Sequence, residues 1–426
     1  MYLPPGEAGG PFELTTKGRN TVRVRDVAVG DVWVASGQSN MEFRMREVMN
    51  SAAEMAGADR PRIRLFHVKN KVGLYPFDDV AAEPWTTCTP ESVREFSAVA
   101  YFFGRHLEEK LGVPIGLIEA SWGGTPAETW TSQRALAADA SLMPVYAEWA
   151  QMNDGAARHQ LERAKVLERW HSDVERAKAE GKEPPGFPWE PNIDNSWMPS
   201  GLFNAMIAPL TRLPIRGVIW YQGESNASGE RAPLYARLFE TMIQDWRHAW
   251  GESDLPFLFV QLANFKAEGA KWPELREAQR QTLALANTGM AVTIDIGTSD
   301  DIHPKNKQDV GLRLALAARA IAYGEKIEYS GPMFQQAVPE GNALRVRFSH
   351  TGTGLVARGG RLTGFEISGA DGKFVPADAV IEGATVVVSS RAVAQPVQVR
   401  YGWKDDPRCN LYNVDGLPAS PFGPGE

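Results

Sequence analysis

Ser39 stands in the string Gly37-Gln38-Ser39-Asn40-Met41, and its flanks make it a candidate nucleophile. Before it, Asp31-Val32-Trp33-Val34-Ala35 is a short apolar run that predicts a buried parallel strand. After it, Glu42 to Met49 has helical spacing and good helix formers. A serine on a strand-to-helix turn exposes its hydroxyl above the strand end, with unpaired helix N–H groups behind it for a developing negative charge. Position alone equally allows a plain helix N-cap, a role serine fills well. Acyl transfer further requires a base, a group to orient that base, and donors for the oxyanion. Three later strings hold candidates: Trp122-Gly123-Gly124-Thr125, Gln222-Gly223-Glu224-Ser225-Asn226 and Asp300-Asp301-Ile302-His303-Pro304. Each follows a predicted strand, so all should meet at the carboxyl edge of one sheet, where ligands bind in open α/β folds.

His303 is the best base among the seven histidines. Pro304 suits the first turn of a helix over 305–322, which leaves His303 on the loop before it. His106, His159, His171 and His248 fall within helical patterns, His67 ends a strand, and His350 lies in a β-rich region. Two aspartates compete to orient His303. A turn brings residue i toward i+3 and favours Asp300; an extended segment points i and i+2 the same way and favours Asp301. Pro304 pushes His303 toward extended backbone, a modest argument for Asp301. Glu224 and Asp295 offer a rival carboxylate pair for glycoside hydrolysis.

The elements that must position these groups alternate. Strands are predicted at 63–68, 114–120, 217–221, 256–261 and 291–296, with helical stretches between them, including 96–111. This is the pattern of a doubly wound parallel sheet. Residues 140–197 interrupt it with a charged helical stretch and a Pro-rich segment, read as an insertion that is either a lid or a plain surface helix. Residues 1–27 and 326–426 are β-like. Two strands cannot bury a face alone, so the first 27 residues should join the C-terminal strands in a β-sandwich accessory domain, leaving 28–325 as the catalytic domain.

A chain of 426 residues with 43% apolar residues, 13 Trp and 18 Phe can build two cores. Its net charge of -7 argues against nucleic acid or an anionic membrane as partner, and no stretch has the length of a membrane span. Cys88 and Cys409 make no disulfide framework, and no Cys/His cluster has zinc spacing. Met1 to Gly6 has neither the basic nor the apolar region of a signal peptide. Gly352-Thr353-Gly354-Leu355-Val356-Ala357 fits a dinucleotide fingerprint but lies among strands with no βα unit. Asn226-Ala227-Ser228 is a glycosylation sequon, where a glycan would block the proposed site.

Met41 replaces the second glycine of G-x-S-x-G, which excludes the α/β-hydrolase elbow. Instead, Gln38-Ser39-Asn40-Met41, Gly123 to Glu128, Trp220 to Ala227, Asp301 to Gln308, and near the end Tyr412-Asn413 and Gly416 to Phe422 together resemble the sialate O-acetylesterase family of SGNH hydrolases. The likeness covers nearly the whole chain. It implies a flavodoxin-like hydrolase that removes acetyl groups from sugars with no cofactor or metal, with Ser39 as nucleophile and His303 as base. The backbone N–H groups of Ser39 and of Gly124 (or Gly123) would line the oxyanion hole. Either Gln222 or Asn226 could add the third donor, Gln222 being nearer the strand end. The superfamily's D-x-x-H selects Asp300 as the orienter, with Asp301 as substitute. Gln38, Trp122, Trp220 and Glu224 are candidates for holding the sugar, and Trp130 and Tyr221 for its aromatic floor. The expected partner is an acetylated sugar or oligosaccharide, of sialic acid or hemicellulose. Rival readings are a lipase or thioesterase on the same machinery, and a carbohydrate-binding protein with a dead site. In the resembling family a signal peptide and further strands often precede this point. The native protein is therefore expected to be secreted or periplasmic, with an accessory domain incomplete at its N-terminal end.

Overall fold

The computed structural model describes residues 6–154, 156–188, 195–229 and 231–424. The opening Leu3-Pro4-Pro5, part of the insertion and the side chain of His159 lie outside them. Nine strands run from the N-terminus through the sheet domain: β1 (Gly9–Lys17), β2 (Thr21–Val29), β3 (Asp31–Gly37), β4 (Arg60–His67), β5 (Thr86–Cys88), β6 (Ile115–Ser121), β7 (Gly217–Tyr221), β8 (Phe257–Val260) and β9 (Thr288–Ala291). Seven of them form one sheet in the order β5-β4-β6-β3-β7-β8-β9. β5 runs antiparallel to β4, and the other neighbours are parallel.

Side-chain alternation explains why both faces are covered. Trp33 pairs with Gly217, so Trp33 and Trp220, three residues beyond Gly217, point to opposite faces. Trp33 meets Phe103 edge-on at 5.0 Å, from the helix Ala98–Leu111. Trp220 meets Trp246 at 5.9 Å, from the helix Arg231–Trp250. Both tryptophans are fully buried, and truncating either to alanine would cost about 3–5 kcal/mol.

Register then brings the strand ends together. Gly37, the last residue of β3, pairs with Ser121 at the end of β6 and with Tyr221 at the end of β7. Gly37 has φ 139°, and a Cβ there would lie 2.1 Å from the Tyr221 carbonyl oxygen. Only glycine lets the chain leave the sheet at this point. Ser39, Trp122 and Gln222 therefore emerge side by side.

Several expectations change. The helix after Ser39 is a single turn, Ser39–Glu42, ended by Phe43 at ψ 120°. The last strand lies at Thr288–Ala291 rather than 291–296; residues 292–296 continue beyond the sheet edge as loop and turn. β1 and β2 pair in a two-stranded sheet of their own rather than joining the C-terminal strands. Asp26 of this hairpin is bound by Arg64 of β4 at 2.5 and 2.8 Å, and Phe12, Val22 and Val24 stay exposed. The insertion contains the helices Pro144–Asp154 and Ala156–Ala179, and Trp170 Nε1 donates to the Pro185 carbonyl at 3.1 Å.

The C-terminal strands are antiparallel. Met333–Glu340, Ala343–Ser349, Thr385–Ser389 and Asp378–Glu382 make one sheet, while Val375–Pro376, Phe365–Ser368 and Gln398–Tyr401 make another. Val346, Val386, Ile367, Tyr401 and Phe422 share a second apolar core, separate from that of the parallel sheet.

Candidate active site

Ser39 is the first residue of its short helix, and Gln38 occupies the cap position without bonding the turn through its side chain. The Ser39 hydroxyl is thus free of capping duty. It lies 2.8 Å from His303 Nε2, a hydrogen bond joining residues 264 positions apart. His303 sits on a loop as expected, but the helix Lys307–Ile321 begins at Lys307 with Asn306 as its cap, so Pro304 lies before the first turn; the His303 ring stacks 6.2 Å from that of Phe43. Burial and the Lys307 charge hold its pKa below the ordinary histidine value, against the pull of Asp301 and Glu47. A neutral imidazole with Nε2 toward a hydroxyl is what general-base chemistry needs.

Asp301, not Asp300, is the carboxylate beside His303. Asp301 Oδ1 accepts the His303 backbone N–H at 2.9 Å and lies 3.9 Å from Nδ1. Asp300 is exposed, and no bond from it to His303 forms among the described residues. The segment is held by the i, i+2 contact, so the turn argument for Asp300 fails.

The glycine string packs against the nucleophile. A Cβ on Gly123 would lie 3.3 Å from Ser39 Cβ and 3.0 Å from Glu42 Oε2. The Gly123 N–H is taken by Glu42 at 2.6 Å, and Gly124 turns in the left-handed region at φ 74°. Among the described residues, nothing accepts from the backbone N–H groups of Ser39 and Gly124, which remain available to an oxyanion. Burial raises the Glu42 pKa while Arg44 opposes it, and Arg44 bridges on to the fully buried Glu119 at 3.0 Å. Glu119 in turn holds His67 Nδ1 at 2.9 Å, a bond that raises the His67 pKa. His67 is therefore committed to that network.

Neither predicted side-chain donor faces the site. Gln222 is fully buried; its Nε2 donates to Asn226 Oδ1 at 2.6 Å and to the Thr125 carbonyl at 3.2 Å, while Tyr235 donates to its Oε1. Asn226 donates to Glu128 at 2.9 Å and accepts from Ala127 N. These bonds stitch the glycine loop to the strand end. Gln38 Oε1 accepts from Ser225 N and Gly223 N, bracing the neighbouring turn. Trp130, Trp220 and Tyr221 are core residues, at most 1% exposed, and not a sugar floor; Trp122 alone of that group is half-buried. Asp295 is bound by Arg313 through both oxygens, at 2.6 and 2.7 Å, which removes it from a carboxylate pair with Glu224.

Asn40 and Lys307 join the site although the motifs alone give neither of them a role. Lys307 Nζ donates to Asn40 Oδ1, and Asn40 Nδ2 donates to Glu224 Oε1 at 2.6 Å and to the Ile302 carbonyl at 3.0 Å. The available signal was their adjacency to the two catalytic candidates: Asn40 follows Ser39, and Lys307 lies four residues after His303.

This geometry agrees with what the chain is similar to. A family model described as carbohydrate esterase, sialic acid-specific acetylesterase matches residues 29–159 and 191–322. The chain belongs to that acetylesterase family. Sialate O-acetylesterase of Mus musculus is 32% identical over 99% of this chain and 83% of the mouse protein. The Homo sapiens counterpart is 31% identical over 99% of this chain and 81% of its own length. Among solved structures, a carbohydrate acetylesterase from Xanthomonas citri superposes with a TM-score of 0.84 at 41% identity, covering 99% of this chain and 86% of that one. In this member of the acetylesterase family, the two matched stretches span the segments that carry Ser39, Gly123, Gly124 and His303.

Proposed function

We propose that the chain is a carbohydrate O-acetylesterase working through an acetyl-Ser39 intermediate. The observation that carries this reading is the 2.8 Å contact between Ser39 Oγ and His303 Nε2, with the imidazole kept neutral. His303 takes the Ser39 proton as Oγ attacks the acetyl carbonyl, and the charge on the carbonyl oxygen is met by the N–H groups of Ser39 and Gly124. Collapse expels the sugar oxygen, which takes the proton back from His303. Water, deprotonated by the same ring, then releases acetate and regenerates Ser39. Asp301 stabilises the transient imidazolium through space, and the half-buried Trp122 beside the glycine turn is the surface for a sugar ring.

The flavodoxin-like reading of the sheet draws support from strand order. Counted along the chain as first to fifth, β3, β6, β7, β8 and β9 stand in the order 2-1-3-4-5, with β4 and β5 added beyond β6. In such an order the switch point falls between β3 and β7, the strands that Ser39 and Gln222 follow, which supports the reading. The two C-terminal antiparallel sheets over one core support a β-sandwich accessory domain.

Relatives named for sialate favour O-acetylated sialic acid; the Xanthomonas citri protein is named only for carbohydrate, and acetylated hemicellulose stays the alternative substrate that the sequence leaves open. Acetate release from O-acetylsialic acid, acetylated xylan and acetylated mannan, measured side by side, decides between them. In the same assay Ser39→Ala should lower turnover by at least about a thousandfold with an unchanged thermal transition. Substantial acetate release by that variant would refute the serine mechanism.

A further inference from the structure

The Ser39 hydroxyl and the His303 ring belong to segments far apart in the chain, so something must hold their separation. Asn40 follows Ser39 directly, and Ile302 directly precedes His303. The Asn40 Nδ2 bond to the Ile302 carbonyl, 3.0 Å long, rivets the two backbones beside the reacting atoms. The same nitrogen donates to Glu224 Oε1 at 2.6 Å, so both of its protons are used. This arrangement demands one orientation of the amide, with Oδ1 turned away from Ile302. Lys307 enforces it. Its ammonium has three donors and no acceptor, and it donates to Asn40 Oδ1. Lys307 is fully buried and boxed by the rings of Phe43 and Tyr221, 4.6 and 5.4 Å from Nζ.

We propose that Lys307 is a positioning residue for the Ser39–His303 pair, acting through the amide of Asn40, with Glu224 as the second anchor of that amide. The inference rests on the acetyl-Ser39 reading above. A buried amide has two nearly isosteric orientations. Without Lys307, Oδ1 loses its donor and only Glu224 and the Ile302 carbonyl hold the amide, so the link between the two backbones slackens, the His303 loop shifts and the base is misplaced.

The groups facing Lys307 give the device an electrical consequence. They are Asn40 and Phe43 after β3, Tyr221 of β7, Glu224 after β7, and Asp301 and His303 on the loop before its own helix. Burial brings the Lys307 pKa down to about 7 against the attraction of Glu224, and burial raises that of Glu224, whose Oε2 has no partner among the described residues. When charged, Lys307 works against protonation of His303. A neutral replacement should therefore raise the His303 pKa.

The test compares Lys307→Met, Asn40→Asp and Ser39→Ala with the parent protein on an aryl acetate from pH 5 to 9. Lys307→Met should lower kcat at least about tenfold with KM within about threefold, since alignment rather than binding is lost. Its acid limb should move to higher pH. Kinetics like the parent's, or a lowered kcat with the acid limb unmoved, would overturn the proposal. Asn40→Asp keeps an acceptor for Lys307 but loses both donors, so it should also lose kcat at nearly constant KM. If Lys307→Met fails to fold, that variant decides, and a parent-like kcat in it overturns the proposal. Ser39→Ala separates the two readings. If it retains activity, the acetyl-Ser39 mechanism falls; if it is inactive while Lys307→Met matches the parent, only the positioning role falls.

Discussion

Asp301 holds the backbone of His303 more closely than it holds the ring. Its Oδ1 accepts the His303 N–H at 2.9 Å yet stands 3.9 Å from Nδ1, beyond hydrogen-bond reach. It therefore acts on an imidazolium as a nearby charge. Asp301→Asn keeps an acceptor for the backbone and removes that charge, so kcat/KM on an aryl acetate should fall about ten- to a hundredfold, while Asp300→Asn should stay within about twofold. Steady-state kinetics on both variants checks this. Equal losses in the two would contradict the assignment.

The pH profile carries a sign. His303 works as a base only when neutral, so activity is lost as pH falls through its folded pKa. Burial and Lys307 hold that value below the ordinary 6.5. The acid limb of kcat/KM should therefore have its inflection below pH 6.5. An inflection above 6.5 would mean that Asp301 outweighs burial.

Gly123 is close enough to the nucleophile for a single methyl group to be felt. In Gly123→Ala the new Cβ would meet Ser39 Cβ at 3.3 Å and Glu42 Oε2 at 3.0 Å. The flexible Glu42 can retreat only by loosening its bond to residue 123, so the loop beside Ser39 shifts. A displacement of a few tenths of an ångström should cost about ten- to a hundredfold in kcat. Denaturant unfolding should change little, and a parent-like kcat would show that the loop absorbs the methyl group elsewhere.

Asp295 should matter for stability instead of chemistry. Its side chain and that of Arg313 are only 10% and 8% exposed, and Tyr412 of the C-terminal strands adds a bond at 3.3 Å. Asp295→Asn leaves a buried guanidinium under-neutralised, at a cost of about 3–5 kcal/mol. Urea denaturation should show that loss while kcat of the folded enzyme holds. The reverse pattern would revive a catalytic carboxylate at this position.

Local chemistry made much of this protein legible from its sequence. Apolar runs such as Val218 to Tyr221 can be satisfied only inside a sheet, and Gly37 and Gly123-Gly124 mark where the backbone must approach its neighbours closely. Pro304 places His303 before a helix rather than in it. Those features depend on a few consecutive residues, so the four candidate strings and their places after strands could be read directly. What a polar side chain bonds to is not local. Gln222 and Asn226 have the donors an oxyanion requires, yet the fold sets the Thr125 carbonyl and Glu128 against those donors, while Tyr235 donates to the Gln222 oxygen. Trp220 looks equally suited to a sugar ring or a core, and only the helix Arg231–Trp250 across it decides for the core. The alternation of residues 9–29 marks two strands but not their partner: they pair with each other rather than with the C-terminal strands, and Arg64 reaches Asp26 across 38 residues to dock them. The Lys307–Asn40–Glu224 chain is the extreme case: its members are 267 and 184 positions apart, and no periodicity encodes which buried donor will meet which acceptor. Tertiary packing makes that choice, because an unpaired polar group in the core costs more than the hydrogen bond itself is worth.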